Sequence, residues 1–307
     1  LKIELSCPSK TFLLGEYLVL NNGAALLMNA SPRFSLTVDT RGGGLVSGIK
    51  AESPAGQWLR QNRLTFEKVD VQFADPHNGL GGFGASSAQY LLIHIANQVL
   101  KNPDKHDDFN IEQIWRAYRQ METVSPEGLR PSGADIVAQF MGGLSEVHVE
   151  PFAGRAFHWP LEDYDVVLAH TGHKVPTHEH LRGLKRVDTD ELEWVYTRAI
   201  ETLEAGEAPA FFESVNDYYA ELLELGLVAE STQVAIASLM SKPFVRAAKG
   251  CGAMGADVVA IFITKENRDL LTPALKELNL TWKADVSSVD KGFEIKILED
   301  LQAETLS

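Results

Sequence analysis

The chain has 307 residues, with 42 acidic side chains against 28 basic ones and a formal net charge of −14. That balance argues against a general nucleic-acid binder and against adhesion to acidic membrane surfaces, while leaving room for a small basic pocket that takes an anionic substrate. The composition, 45% hydrophobic and 23% charged, fits a soluble globular protein with enough residues for two domains. Cys7 and Cys251 lie far apart and suggest no disulfide framework, so a reducing cytoplasmic setting is expected. No apolar run reaches transmembrane length, and the opening Leu1-Lys2-Ile3-Glu4 has no signal-peptide pattern.

In chain order, Lys2 to Val38 reads as β-rich. Thr11-Phe12-Leu13-Leu14 and Tyr17-Leu18-Val19-Leu20 are apolar runs, and Asn21-Asn22-Gly23 is a turn signal. Ala24 to Met28 and Phe34 to Val38 suggest two further strands, Gln57 to Asn62 a short helix, and Phe66 to Phe73 another strand. Then come four glycines within six residues, Gly79-Leu80-Gly81-Gly82-Phe83-Gly84, followed by Ala85-Ser86-Ser87. Ala88, Leu91, Leu92, Ile95, Ala96 and Val99 follow at helical spacing. A glycine loop opening a helix lets backbone amides approach a ligand, and the helix start favours an anion such as phosphate.

Asn110-Ile111-Glu112-Gln113 has capping-box spacing and opens a helix with Ile114, Trp115 and Tyr118 on one face. After Ser125-Pro126-Glu127-Gly128 comes Pro131-Ser132-Gly133-Ala134-Asp135, then a further helix ending at Gly142-Gly143. From Asp165 onward helices dominate, with Val258 to Thr264 as a continuous apolar, central strand and Phe293, Ile295 and Ile297 alternating as a half-buried one. The boundary falls near Pro160–Asp163, giving domains 1–163 and 164–307.

Three stretches besides the glycine loop carry chemistry. In Cys7 to Tyr17, Lys10 and Glu16 sit among apolar residues, and phosphoryl transfer wants such a cation; an edge-strand lysine is the structural alternative. Ser132 and Asp135 have capping-box spacing, and a carboxylate at a helix N-terminus is also able to orient or deprotonate a hydroxyl. Lys249-Gly250-Cys251-Gly252-Ala253-Met254-Gly255-Ala256-Asp257, just before the apolar strand, suggests a second close backbone approach or a tight turn. There is no Walker A loop, and Ser occupies the third glycine of the dinucleotide fingerprint. His170, His173, His178 and His180 cluster, yet with no cysteine and no common zinc spacing they read as a polar loop.

Taken in order, Cys7 to Tyr17, Gly82 to Ala88, Pro131 to Asp135 and Lys249 to Asp257 resemble the motifs of the GHMP family of small-molecule kinases, over nearly the whole chain. Within it, Thr171-Gly172, Thr177 and Gly15-Glu16-Tyr17-Leu18-Val19-Leu20 are most similar to the mevalonate and phosphomevalonate kinase branch. The resemblance implies an α+β two-domain fold, an N-terminal domain like ribosomal protein S5 domain 2 and a ferredoxin-like C-terminal domain. It implies ATP and Mg²⁺ as cofactors, a small-molecule acceptor, and leaves a homodimer open. On it, Lys10 and Asp135 are catalytic; Gly82, Gly84, Ala85, Ser86, Ser87, Gly252, Ala253 and Gly255 bind ATP. Ser86 (or Ser87) and Glu122 (or Glu127) bind the metal, and Glu16, Tyr17, Ser132 and Lys174 meet the acceptor, with Arg130 and Arg182 as further anion-binding candidates. The implied reaction is transfer of the ATP γ-phosphate to phosphomevalonate or mevalonate; the alternatives are a sugar or homoserine kinase, or a non-catalytic ligand sensor. Two departures stand out: Ala85 replaces the usual first Ser, and Met254 the usual Gly of the last motif.

Overall fold

The computed structural model describes residues 1–103, 108–121, 131–172 and 188–299. It contains two sheets, each covered by helices. The first is built on β1 (Lys2–Leu14) and β2 (Ala24–Asp39), antiparallel along their length. Where separate strands are expected at Ala24–Met28 and Phe34–Val38, one long strand runs through both. Its first half pairs β5 (Leu144–His148) and its second half pairs β4 (Asp70–Ala74). The β1–β2 register shifts between Cys7 and Ser9, a bulge that lets so long a pair bend. β3 (Val46–Ser47) adds to β4, and β6 (Ala153–Phe157) to β5. On the far side β1 pairs with β11 (Glu294–Glu299), which lies within the segment expected to form the second domain.

The expected strand over Phe66 to Phe73 starts only at Asp70. Before it lie α1 (Pro54–Gln61), capped by the Ser53 hydroxyl accepting from Gly56 N–H at 3.1 Å, and α2 (Arg63–Phe66). Phe66 is apolar because it packs into the core from the end of a helix. Against this sheet lie α3 (Ala85–Lys101) and α5 (Ala134–Met141), with α4 (Ile111–Met121) on α5. The stripe on α3 is fully buried at Ala88, Leu91, Leu92, Ile95 and Ala96. At about 25 cal/mol per Å² of apolar area, each buried leucine or isoleucine there contributes roughly 1.5–3 kcal/mol before entropy is counted.

The second sheet is antiparallel, in the order β10 (Thr281–Ala284), β7 (Tyr164–His170), β9 (Val258–Thr264), β8 (Val245–Cys251). Helices α6 (Asp190–Glu204), α7 (Ala208–Glu224) and α8 (Glu230–Met240) lie between β7 and β8 in the chain, and α9 (Arg268–Glu277) between β9 and β10. Counting strands along the chain, the spatial order is fourth, first, third, second, the ferredoxin-like arrangement. Val258 to Ile263 of β9 are completely buried, as expected for a central strand. The two halves meet through polar contacts: Tyr196 makes a buried 3.2 Å bond to Glu146, and Arg155, held by Glu146 at 2.6 Å, reaches across to Glu204 at the exposed rim. Among the described residues no helix is long and apolar enough to cross a membrane.

Candidate active site

The glycine loop runs into the start of α3. Gly82 and Gly84 have φ of 84° and 87°, a region that favours glycine. A Cβ on Gly82 would stand 2.7 Å from Val258 Cγ2, and one on Gly84 would stand 2.9 Å from Lys10 Cε, so both positions need the missing side chain for space as well. Gly84 is the N-cap residue and no side chain caps the helix, which leaves the first amides of α3 and the positive end of its dipole for an anion. Ser87 is buried and donates to the Gly84 carbonyl at 2.9 Å, so its hydroxyl is spent within the turn. Ser86 is exposed, and its hydroxyl makes no hydrogen bond among the described residues. Of the two serines, Ser86 is the one available to a phosphate or a cation; Ala85 offers only its amide.

Beneath the loop lies Lys10. Its backbone N–H donates to Phe83 O at 2.9 Å, stitching β1 to the loop. The residue is 8% exposed; its side chain passes under Gly84 and ends with Nζ 4.7 Å from the centre of the Phe12 ring, without an ion-pair partner among the described residues. A nearly buried cation facing an uncapped helix start is complementary to a multiply charged anion. Phe83 is held in an aromatic column, stacked on His77 at 4.1 Å and on His170 at 5.7 Å, while His77 Nε2 lies 2.6 Å from Ser9 Oγ.

Asp135 sits half-buried in the first turn of α5, where among the described residues its Oδ1 accepts only a 3.2 Å bond from the adjacent Ile136 N–H. The capping box expected from Ser132 and Asp135 does not form: the N-cap residue is Gly133, and Ser132 Oγ accepts from Ala134 N–H at 3.3 Å. Capping therefore does not consume the Asp135 carboxylate. The Pro131–Gly133 turn is fixed by Trp115, whose indole N–H donates to Ser132 O at 2.8 Å. One turn along α5 is Gln139, fully buried, whose amide donates to Pro8 O at 3.0 Å and to Gly84 O at 3.2 Å. Gln139 is absent from the residues singled out from sequence; a lone amide within Ile136-Val137-Ala138-Gln139-Phe140 was its only signal.

The third motif closes the site from the other half. The turn through Gly252, Ala253 and Gly255 carries Met254 at φ 54°, where an L side chain is strained by roughly 1–2 kcal/mol. Its N–H donates to the Tyr17 hydroxyl at 3.1 Å and its carbonyl accepts from Ala229 N–H at 2.9 Å, which holds it there. Asp257 is packed against the glycine loop: a Cβ on Gly81 would lie 2.8 Å from Asp257 Oδ1. Glu16, expected at the acceptor, accepts a 2.7 Å ion-paired bond from Lys249 through Oε1, while its buried Oε2 has no hydrogen-bond partner among the described residues. Lys249 is completely buried; burial pulls its pKa down, yet the neighbouring Cys251 and Glu16 side chains outweigh it and the net shift is upward. Burial pushes the Cys251 thiol up to about 11, so at neutral pH Glu16 supplies the countercharge. Tyr17 is likewise pushed above its ordinary pKa by burial and stays a neutral phenol.

Glu122, Glu127, Arg130, Lys174 and Arg182, with Thr177, His173, His178 and His180, lie outside the described residues. His170 ends β7, its Nδ1 accepting from Gly172 N–H at 2.8 Å. Among the described residues no group of three His, Cys, Asp or Glu side chains is placed to hold a metal. Ser86 and Asp135 are oxygen donors of the kind Mg²⁺ takes, an ion that draws most of its shell from phosphate and water. Beside the loop a cleft of about 380 Å³ opens between Pro76, His77, Asn78 and Leu80 of the first half and Trp282 and Lys283 of the second.

No protein-family model matches this sequence, and no curated protein matches it either. Solved structures do. The Lin0012 protein of Listeria innocua superimposes with a TM-score of 0.75 at 16% identity, over 96% of this chain and 99% of the other. The phosphomevalonate kinase of Streptococcus pneumoniae, in complex with phosphomevalonate and AMPPNP, gives 0.74 at 12% identity, over 92% and 98%. The galactokinase of Lactococcus lactis, complexed with galactose, gives 0.73 at 12% identity, over 95% of each chain. The chain has the two-domain α+β fold of the GHMP kinases.

Proposed function

We propose that this protein is an ATP-dependent small-molecule kinase that transfers the γ-phosphate of ATP to an acceptor hydroxyl. The observation that carries the reading is the junction of Lys10, the glycine loop and the uncapped start of α3: a cation without an ion-pair partner among the described residues, under a cradle of helix-start amides. Phosphoryl transfer is catalysed mainly by positioning and by stabilising charge on the phosphate oxygens, and both are supplied here. Gly82, Gly84, Ala85 and Ser86 cradle the phosphates from one side; Gly252, Ala253 and Gly255 shape the opposite wall. Ser86 and, from sequence, Glu122 would hold Mg²⁺, which would supply positive charge against the phosphates. Lys10 stabilises the oxygen charge that develops during transfer. Asp135, free of its helix cap, orients the acceptor hydroxyl or takes its proton.

For the acceptor, we favour phosphomevalonate or mevalonate. The support is the Gly15-Glu16-Tyr17 segment and the resemblance of the motifs to that branch. A sugar or homoserine is the alternative. A ligand sensor on the same fold is the second reading, favoured by the strained Met254 where the motif resembles a glycine turn. Coupled ADP production over mevalonate, phosphomevalonate, galactose and homoserine separates these readings. Turnover with one acceptor, abolished by Lys10→Met, supports the kinase. Tight nucleotide or acceptor binding without ADP production from any of the four favours the sensor.

A further inference from the structure

Gln139 occupies a place in the fold that its residue type does not explain by packing. It is completely buried in a helix whose other residues, Asp135 apart, are apolar, a costly position for an amide unless its hydrogen bonds are needed. Its Nε2 spends both protons on backbone carbonyls from different elements: Pro8 O on β1 and Gly84 O at the head of α3. Pro8 sits where the β1–β2 register shifts, so its carbonyl lies at the bulge in the ladder. The Gly84 carbonyl already accepts from Ala88 N–H and Ser87 Oγ, each at 2.9 Å. The Lys10 stem passes through the same gap: a Cβ on Gly84 would lie 2.9 Å from Lys10 Cε and 3.0 Å from Gln139 Nε2. The Gln139 Oε1 is buried there and makes no hydrogen bond among the described residues. Finally, Gln139 is one helical turn from Asp135, on the same face of α5.

We infer that Gln139 is a positioning residue: its amide clamps the Lys10 strand and the phosphate loop to the helix that carries Asp135, fixing the cation, the phosphate cradle and the carboxylate in one frame. Its part in catalysis rests on the kinase reading above; the clamp itself does not. The three groups come from three separate elements, and a misplacement of about 1 Å between reacting groups is enough to cost on the order of 10²-fold in rate. The clamp acts through Lys10, Gly84 and Asp135 and touches no reacting atom itself.

Gln139→Met keeps the volume and removes both donors. Gln139→Glu keeps the shape, sets a carboxylate against two carbonyl oxygens and offers Lys10 a competing anion. Hydrogen exchange of the free protein, read on peptides covering residues 79–88, is the first measurement. Exchange at least about tenfold faster in Gln139→Met, in a protein that still melts cooperatively, is expected; unchanged exchange overturns the clamp whatever the protein's activity. The second is titration with MgAMPPNP, with kcat measured on whichever acceptor the panel identifies. In Gln139→Glu, Kd for AMPPNP is expected to rise at least about tenfold and kcat to fall about a hundredfold. Both should recover relative to wild type as pH falls and the carboxyl regains a proton to donate. A purely structural glutamine would lower melting temperature with no pH-dependent recovery of binding, and that result refutes the proposal. Faster loop exchange in Gln139→Met, together with a wild-type protein that does not bind MgAMPPNP, would leave the clamp standing and sink the kinase reading instead.

Discussion

The Lys249–Glu16 pair is the contact whose loss should be felt most. It joins β8 of the second half to the end of the β1 motif, with Lys249 completely buried and the Glu16 side chain 6% exposed. Removing one partner of a buried pair leaves the other charge stranded, at a cost of about 3–5 kcal/mol, whereas replacing both with neutral groups of similar volume is often close to neutral. Lys249→Met should therefore destabilise by about 3–5 kcal/mol, although the Gly250 carbonyl also loses a 2.8 Å bond. Glu16→Gln should cost less, because Gln retains an acceptor for Lys249. The double variant should recover at least about 2 kcal/mol relative to the sum of the singles, since the stranded charge is gone. Urea unfolding followed by far-UV circular dichroism gives all three values, with the slope against urea as a check that the unfolded state is unchanged. A Lys249→Met cost below about 1 kcal/mol with strict additivity in the double would mean that the pair is hydrated in solution. The close seating of the third motif on the first would then have to be abandoned.

His94 is buried against Trp58, with ring centres 4.3 Å apart, and burial, with a smaller push from Lys101, lowers its pKa to about 4 from 6.5. Because the folded pKa lies below the unfolded one, the folded state prefers the neutral ring, and stability is present above pH 6.5 and lost as pH falls towards 4. The loss between pH 7 and pH 5 should be on the order of 2 kcal/mol, and His94→Phe should flatten that part of the melting profile. Met254→Gly should raise stability by about 0.5–1 kcal/mol, because relief of the left-handed strain exceeds the added unfolded-state entropy, while Met254→Val should lower it; thermal melts decide the sign. Asp135→Asn should melt within about 1 kcal/mol of wild type, bind ATP, and lose at least about a hundredfold in kcat with little change in KM; near-normal turnover would remove the carboxylate from the chemistry.

The phosphate loop and α3 are legible in the sequence because their signals are local: the glycines, the two serines and the apolar stripe all fall within about one helix length. The fate of each serine is not, since only the turn geometry shows that Ser87 is tied to Gly84 and Ser86 is not. Met254 shows the same limit. As a sequence it is a side chain in place of a glycine; only its φ of 54° shows that the side chain sits in strained left-handed backbone. Glu16 and Tyr17 read as acceptor ligands through the resemblance of their motif, but their partners, Lys249 and Met254, come from the far end of the chain. Gln139 escaped for a related reason, since its value lies in two backbone carbonyls, and backbone partners leave no trace in residue identity. The single long β2 was hidden by Ser31-Pro32, whose exposure lets a strand continue where composition suggests a break.

The pairing of β11 with β1 has a mechanical consequence. The chain leaves the first sheet after β6, builds the whole of the second sheet, and comes back to lie along Lys2–Ser6. The second half is thereby fastened to the first by two strands of covalent chain, its exit and its return, much as a drawer is held by two rails. A unit on one tether can swivel about any axis, whereas one on two is confined to a rocking motion about the line joining them. Any displacement of the Gly252–Gly255 turn relative to the glycine loop would be guided along that one path.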